Sequence, residues 1–95
     1  MDPHQSAQLD AVGDSTRRAI LGRLVTEGPS SVGELARAFP ISRPAISQHL
    51  RVLKRAHLVA DRAEGTRRFY SVKPEGLASL RAYFERLSAL RERGI

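Results

Sequence analysis

The chain has no cysteine among its 95 residues. Disulfides, thiolate metal sites, thiol redox switches and cysteine nucleophiles are therefore excluded. A secretory start is not expected either, because no basic opening followed by an apolar run occurs in the first twenty residues. No stretch approaches the roughly 20 apolar residues that cross a bilayer. Internal repeats, low-complexity tracts and interdomain linkers are absent as well. The expectation is a single domain over residues 1–95, cytoplasmic and without membrane contact. A chain this short buries only roughly two-thirds of its unfolded surface, which leaves oligomerisation as a further source of stability.

Catalytic groupings are missing too. Ser47-Gln48-His49 brings a serine near a histidine, but residues two apart on a helix diverge, and no orienting acid is evident. Glu85 and Glu92 read as solvent-facing helix positions, and Gly33, Gly65 and Gly76 as capping and turn glycines rather than a phosphate-cradling loop. Neither an enzyme nor a cofactor is expected.

What is present is charge, and it is concentrated. The net charge is +6, from 16 Lys and Arg against 10 Asp and Glu. Between Ile41 and Lys73 stand eight basic residues (Arg43, Arg51, Lys54, Arg55, Arg62, Arg67, Arg68 and Lys73), opposed only by Asp61 and Glu64. The rest of the chain is balanced. An ordinary solvated surface would spread such an excess, whereas a polyanion-binding face concentrates it.

Residues 1–6 are polar, hold a proline, and read as a flexible end. Leu9 and Val12 mark a short first helix over Ala7–Val12 that Gly13 stops. Asp14 caps a second helix with Ala19, Ile20, Leu21, Leu24 and Val25 at helical spacing, ended by Gly28-Pro29. Ser31 and Glu34 form a capping-box pattern opening a third helix through Leu35 and Phe39. Ser42 caps a fourth, running to about Ala56, with Pro44 tolerated in its first turn. Two strands, Leu58–Arg62 and Arg67–Val72, turn around Glu64-Gly65-Thr66. Pro74 opens the last helix, residues 74–93, with Leu77, Leu80, Phe84 and Leu87 at alternating three- and four-residue steps.

The fold class expected is mainly α with a small β-hairpin, in the order α-α-α-α-β-β-α. Residues 31–56 then form a helix-turn-helix and residues 58–72 a wing. On a 100° wheel, Ile46, Leu50 and Leu53 share one side of the fourth helix. Pro44, Gln48, Arg51 and Arg55 lie opposite, flanked by Ser47 and Lys54. Arginine can pair with guanine and glutamine with adenine in the major groove. The candidate DNA-binding residues are therefore Ser42, Arg43, Pro44, Ser47, Gln48, Arg51, Lys54 and Arg55 on the recognition helix, and Arg62, Arg67 and Arg68 on the wing.

Four blocks, GDSTRRAIL (13–21), VGELA (32–36), SRPAISQHLRVL (42–53) and EGTRRFYSVKPEGL (64–77), together resemble the ArsR/SmtB family of bacterial winged-helix repressors. The resemblance runs from about Leu9 onward. It implies a homodimer joined through the first and last helices, an operator with inverted-repeat symmetry, and repression that is commonly autoregulatory. Ser15 stands where many members have proline. Metal-responsive members carry a cysteine pair on the third helix, or histidines and carboxylates along the last. This chain has no cysteine, and no histidine follows Pro74. Its histidines are His4, His49 and His57. His49 is expected to pack beside its helix, and His57 to cap that helix and interact with its dipole. No metal site is assigned, and no effector.

The stripe of Leu77, Leu80, Phe84 and Leu87, flanked by Tyr83 and Leu90, is wider than a small core covers. With Leu9 and Val12 it is the expected dimer interface; packing within one chain is the alternative. Two other functions remain in view: a winged-helix module for protein contacts, which would need an exposed apolar recognition face, and a nucleic-acid binder that works by charge alone. Gln48 among the arginines argues against the latter, since phosphate binding needs only cations.

Overall fold

The computed structural model describes residues 3–94, leaving Met1, Asp2 and Ile95 outside the account. Helix α1 spans Pro3–Val12, α2 Ser15–Glu27, α3 Val32–Ala38, α4 Arg43–Arg55 and α5 Pro74–Glu92. Strands β1 (Ser30–Ser31), β2 (Val59–Glu64) and β3 (Arg67–Val72) form one antiparallel sheet in the order β1-β3-β2.

Local chemistry sets most of these boundaries. The Asp14 carboxylate accepts from the Arg17 N–H at 2.9 Å and so starts α2. Ser31 and Glu34 close the reciprocal capping box of α3, at 3.2 and 3.0 Å. The Ser42 hydroxyl accepts from the Ala45 N–H and starts α4. Two arginines in α2 serve the end of α1. Arg17 Nε donates to the Ala11 carbonyl at 2.7 Å, and Arg18 Nη1 donates to the Val12 carbonyl at 2.7 Å. Carbonyls without helical partners are thereby satisfied.

Several boundaries differ from the sequence expectation. The first helix begins at Pro3, not Ala7, and takes in four residues of the end expected to be flexible. The hairpin turn is tighter than expected: Glu64 pairs with Arg67, leaving only Gly65-Thr66 between the strands, with φ 64° at Gly65. Positive φ at the first of two turn residues is the II′ pattern, which suits the twist of the strands. Strand β1 was not expected. Ser30 and Ser31 carry no strand periodicity and become one only by pairing with Tyr70 and Phe69.

The end of α4 also differs. Its cap is made by backbone: the N–H of His57 bonds the Lys54 carbonyl and that of Leu58 the Leu53 carbonyl, both at 3.0 Å. That is a Schellman closure. It places His57 at φ 60°, a position that favours glycine. The imidazole does not cap the helix but stacks on His4, with centroids 4.2 Å apart.

The core gathers Ile20, Leu21 and Leu24 of α2, Leu35 of α3, Ile46, Leu50 and Leu53 of α4, Leu58 and Val59 at β2, and Leu80 of α5. Val25, despite its helical spacing, is exposed. Every residue of α5 from Phe84 to Glu92 is exposed, so only the first half of that helix enters the core; beyond it, Arg86 Nη2 donates to Gln5 Oε1 of α1 at 3.1 Å.

The first turn of α5 lies directly against the end of α4, and glycine permits the approach. A Cβ at Gly76 would overlap the His57 carbonyl oxygen and stand 3.1 Å from Leu58 Cα. Both are backbone-bound positions that cannot yield cheaply. Gly76→Ala is therefore expected to lower stability by about 1–3 kcal/mol, measured as the shift in urea midpoint. An unchanged midpoint would mean that the two helix ends do not touch in solution.

Candidate nucleic-acid interface

Helix α4 separates cleanly into two sides. Ile46, Leu50 and Leu53 have no exposure. Ser42, Arg43, Pro44, Gln48, Arg51, Lys54 and Arg55 are exposed, and Ser47 is half-buried. Gln48 and Arg51 are joined, with Arg51 Nη1 donating to Gln48 Oε1 at 2.9 Å. The pair spans one helical turn and leaves further donors of both side chains free, suited to adjacent base edges.

The wing arginines are exposed but partnered. Arg62 pairs with Glu64 at 3.3 Å across a solvated surface. Arg67 donates to the Ser31 hydroxyl at 3.0 Å, lies 3.5 Å from Glu34 and covers the Phe69 ring at 5.2 Å. These contacts tie the wing to the start of α3. Arg68 pairs with Asp61 at 2.8 Å, and Lys54 of α4 pairs with the same carboxylate at 2.7 Å. Asp61, with a side chain only 9% exposed, is thus the link between recognition helix and wing. The hydrogen bond from Lys54, joined by that from Arg68, holds its carboxyl below the usual carboxylate range against the opposing effect of burial. Hydrogen bonds from Ser31 do the same for Glu34.

The capping-box role of Glu34 follows from the sequence, but its pairing with Arg67 and the role of Asp61 do not. No motif announces either pairing, because the partners come from other elements. The residues expected at a dimer seam divide by position. Leu80 is in the core, while Leu9, Val12 and Leu77 pack partly against it. Tyr83 is half-buried, edge-on to Phe84 at 5.5 Å and beneath the Arg86 guanidinium. Phe84, Leu87 and Leu90 are 52%, 44% and 42% exposed. Among the described residues these three and Val25 are the exposed large apolar side chains, and none lies on α4 or the wing. The recognition face is polar and cationic, which does not suit a module for apolar protein contacts.

The three histidines do not meet at one point. His4 and His57 stack on each other, and His49 Nδ1 is buried on α4 without a partner. Among the described residues no group of three or more histidine, aspartate or glutamate side chains is arranged to hold a metal ion. Among the described residues no helix is long and apolar enough to cross a membrane.

A capped helix, a tight turn, a second helix with a buried apolar side and a cationic outer side, and a basic hairpin beside it define a winged helix-turn-helix protein that binds DNA. The helix-turn-helix domain family matches residues 12–62. The chain is 60% identical over 76 residues to the HTH-type transcriptional regulator Rv2034 of Mycobacterium tuberculosis, covering 80% of this chain and 70% of that one. It is 42% identical over 62 residues to the transcriptional repressor SdpR of Bacillus subtilis, covering 65% and 68%. An ArsR-like transcriptional regulator from Rhodococcus superposes with a TM-score of 0.83 at 30% identity, over 95% of this chain and 84% of that one. The chain belongs to the ArsR family of helix-turn-helix transcriptional regulators, a class that regulates rather than catalyses.

Two outcomes follow for Asp61. Its folded pKa is depressed, so the bridge is complete above the usual carboxylate range and is lost only as pH falls below it. A carbon-detected titration should find Asp61 still ionised at pH values where an ordinary aspartate is half protonated. Asp61→Asn releases Lys54 and Arg68 and raises net charge by one. Affinity for a scrambled duplex should rise and the preference for the operator over it should fall. Equal loss on both duplexes would mean that the carboxylate does not restrain these cations.

Proposed function

We propose that the protein is a cytoplasmic, homodimeric repressor that binds an inverted-repeat operator and regulates its own synthesis. One observation carries the DNA-reading part. The buried Ile46–Leu50–Leu53 side of α4 leaves Gln48, Arg51, Lys54 and Arg55 facing outward, beside a basic wing. The repressor role is drawn from the name of the relative SdpR.

Base reading falls to Gln48 and Arg51, with Ser47, in the first half of α4. Ser42, Arg43 and Pro44 sit where the helix enters the groove. Arg55, Lys54 and the wing residues Arg62, Arg67 and Arg68 contact phosphates or the minor groove. The dimer seam is the outer half of α5, Phe84, Leu87 and Leu90 with Tyr83, completed by Leu77 and by Leu9 and Val12 of α1. Leu80 supports it from the core. Two protomers related by a two-fold axis present their α4 helices to half-sites about 10–11 bp apart. No metal takes part in this reading, so stoichiometric zinc is expected to leave operator affinity unchanged.

Light scattering at micromolar concentration should give twice the mass of one 10.5 kDa chain; a single-chain mass would remove the dimer. Genomic footprinting supplies the operator, and variants are then compared on its single-base mutants at two salt concentrations. Gln48→Ala and Arg51→Ala should each cost about 1–3 kcal/mol and relax preference at particular base pairs. Arg67→Ala and Arg68→Ala should weaken all duplexes alike and make the salt dependence shallower. The reverse pattern would exchange the two roles.

A further inference from the structure

An open cleft of about 410 Å³ lies between α3, the start of α4 and the hairpin, with Gly33, Arg37, Arg43, Ser47, Arg67 and Arg68 on its walls. Two of the four arginines are neutralised, Arg67 by Glu34 and Arg68 by Asp61. Arg37 and Arg43 make no hydrogen bond and no ion pair within 4.0 Å among the described residues. Yet both reach one point, the space beside the Gly33 Cα. A Cβ there would overlap Nη2 of Arg43, 3.4 Å from its Cζ, and stand 3.7 Å from Nη1 of Arg37. Two unpaired guanidinium groups aimed at one place repel each other unless an anion sits between them. A phosphate, with two non-bridging oxygens, is the ligand that arginine forks fit.

Gly33 has no conformational reason to be glycine. It lies within α3 and is not among the glycines at positive φ. Alanine is the better helix former at such a site. What glycine supplies is room for the Arg43 guanidinium.

We propose that Gly33, Arg37 and Arg43 form the seat of one backbone phosphate of duplex DNA, with Gly33 keeping open the space that Arg43 occupies. The inference rests on the DNA-binding reading above and adds a contact from α3, outside both the base-reading face and the wing. Arg43 and Arg37 donate to the same phosphate. The cleft lies between the two elements that face DNA, which favours a strand of the duplex over a free anion.

The test measures binding of a short mixed-sequence duplex as a function of salt for the wild type, Gly33→Ala, Arg37→Ala, Arg43→Ala and the double arginine variant. Thermal midpoints and an NMR titration with inorganic phosphate run alongside. Gly33→Ala changes no charge and should melt at or above the wild-type temperature. It should nevertheless bind the duplex more weakly, with a salt slope shallower by about 0.9, the loss of one phosphate contact. The double arginine variant should lose the same roughly 0.9 rather than about 1.8, because the two side chains share one phosphate. Arg37→Ala alters an exposed side chain and reports on the seat even if Gly33→Ala unfolds.

Wild-type affinity and slope in Gly33→Ala and Arg37→Ala would overturn the proposal. So would additive slopes, which would give each arginine its own phosphate. Inorganic phosphate binding that Gly33→Ala abolishes, with duplex binding untouched, would assign the seat to a free anion instead. Failure of the wild type to bind duplex at all would overturn the underlying DNA-binding reading, a result distinct from variants that match a binding wild type.

Discussion

The recognition surface depends on the complete burial of one side of α4. Ile46, Leu50 and Leu53 have no solvent exposure and contact a core built from α2, α3, β2 and α5. Burying a side chain of this size is worth about 1.5–3 kcal/mol, so three of them hold the helix at one rotation about its axis. With the rotation set, the residues on the other side have nowhere to go but outward. The same helix is held at both ends, by the Ser42 cap and by the backbone closure at His57 and Leu58. Its base-reading candidates sit on a support that does not need DNA to form.

Electrostatics organises what burial has placed. The cations near the interface are not left equally free. Asp61 holds Lys54 and Arg68 together, and Glu34 with Ser31 holds Arg67 against α3. The cations of these pairs stay more than half exposed, so solvent screening limits what the pairs add to folding. Their effect here is geometric, because they fix the wing relative to α4 and α3 with groups that a phosphate can later claim. Arg37, Arg43, Arg51 and Arg55 make no ion pairs among the described residues, which gives DNA a field it meets before any internal bond must break.

Much of this was legible in the sequence because it rests on local rules. The Asp14, Ser31 and Ser42 caps, the glycine turn of the hairpin and the apolar side of α4 depend on residues within a turn or two of one another. The features that were not legible involve partners distant in sequence. Strand β1 exists only through pairing with β3, and Arg67 meets Ser31 and Glu34 across that pairing. Asp61 reads as an acidic residue diluting a basic stretch, yet it is the group that two cations share. The polar run from Pro3 to Ser6 hides the start of α1, although proline suits a first helical turn. On α5 the leucine and phenylalanine spacing marks an apolar stripe, but spacing cannot divide it into Leu80 in the core and Phe84, Leu87 and Leu90 in solvent.

In the proposed complex DNA is met by α4, the wing and the cleft between them, and the outer part of α5 takes no part. An NMR titration of the labelled protein with duplex DNA tests this arrangement most directly. Amide shift changes are expected to concentrate in residues 33–55 and 61–68, with residues 77–92 little affected. Changes centred on residues 77–92, with residues 43–55 unmoved, would contradict the account.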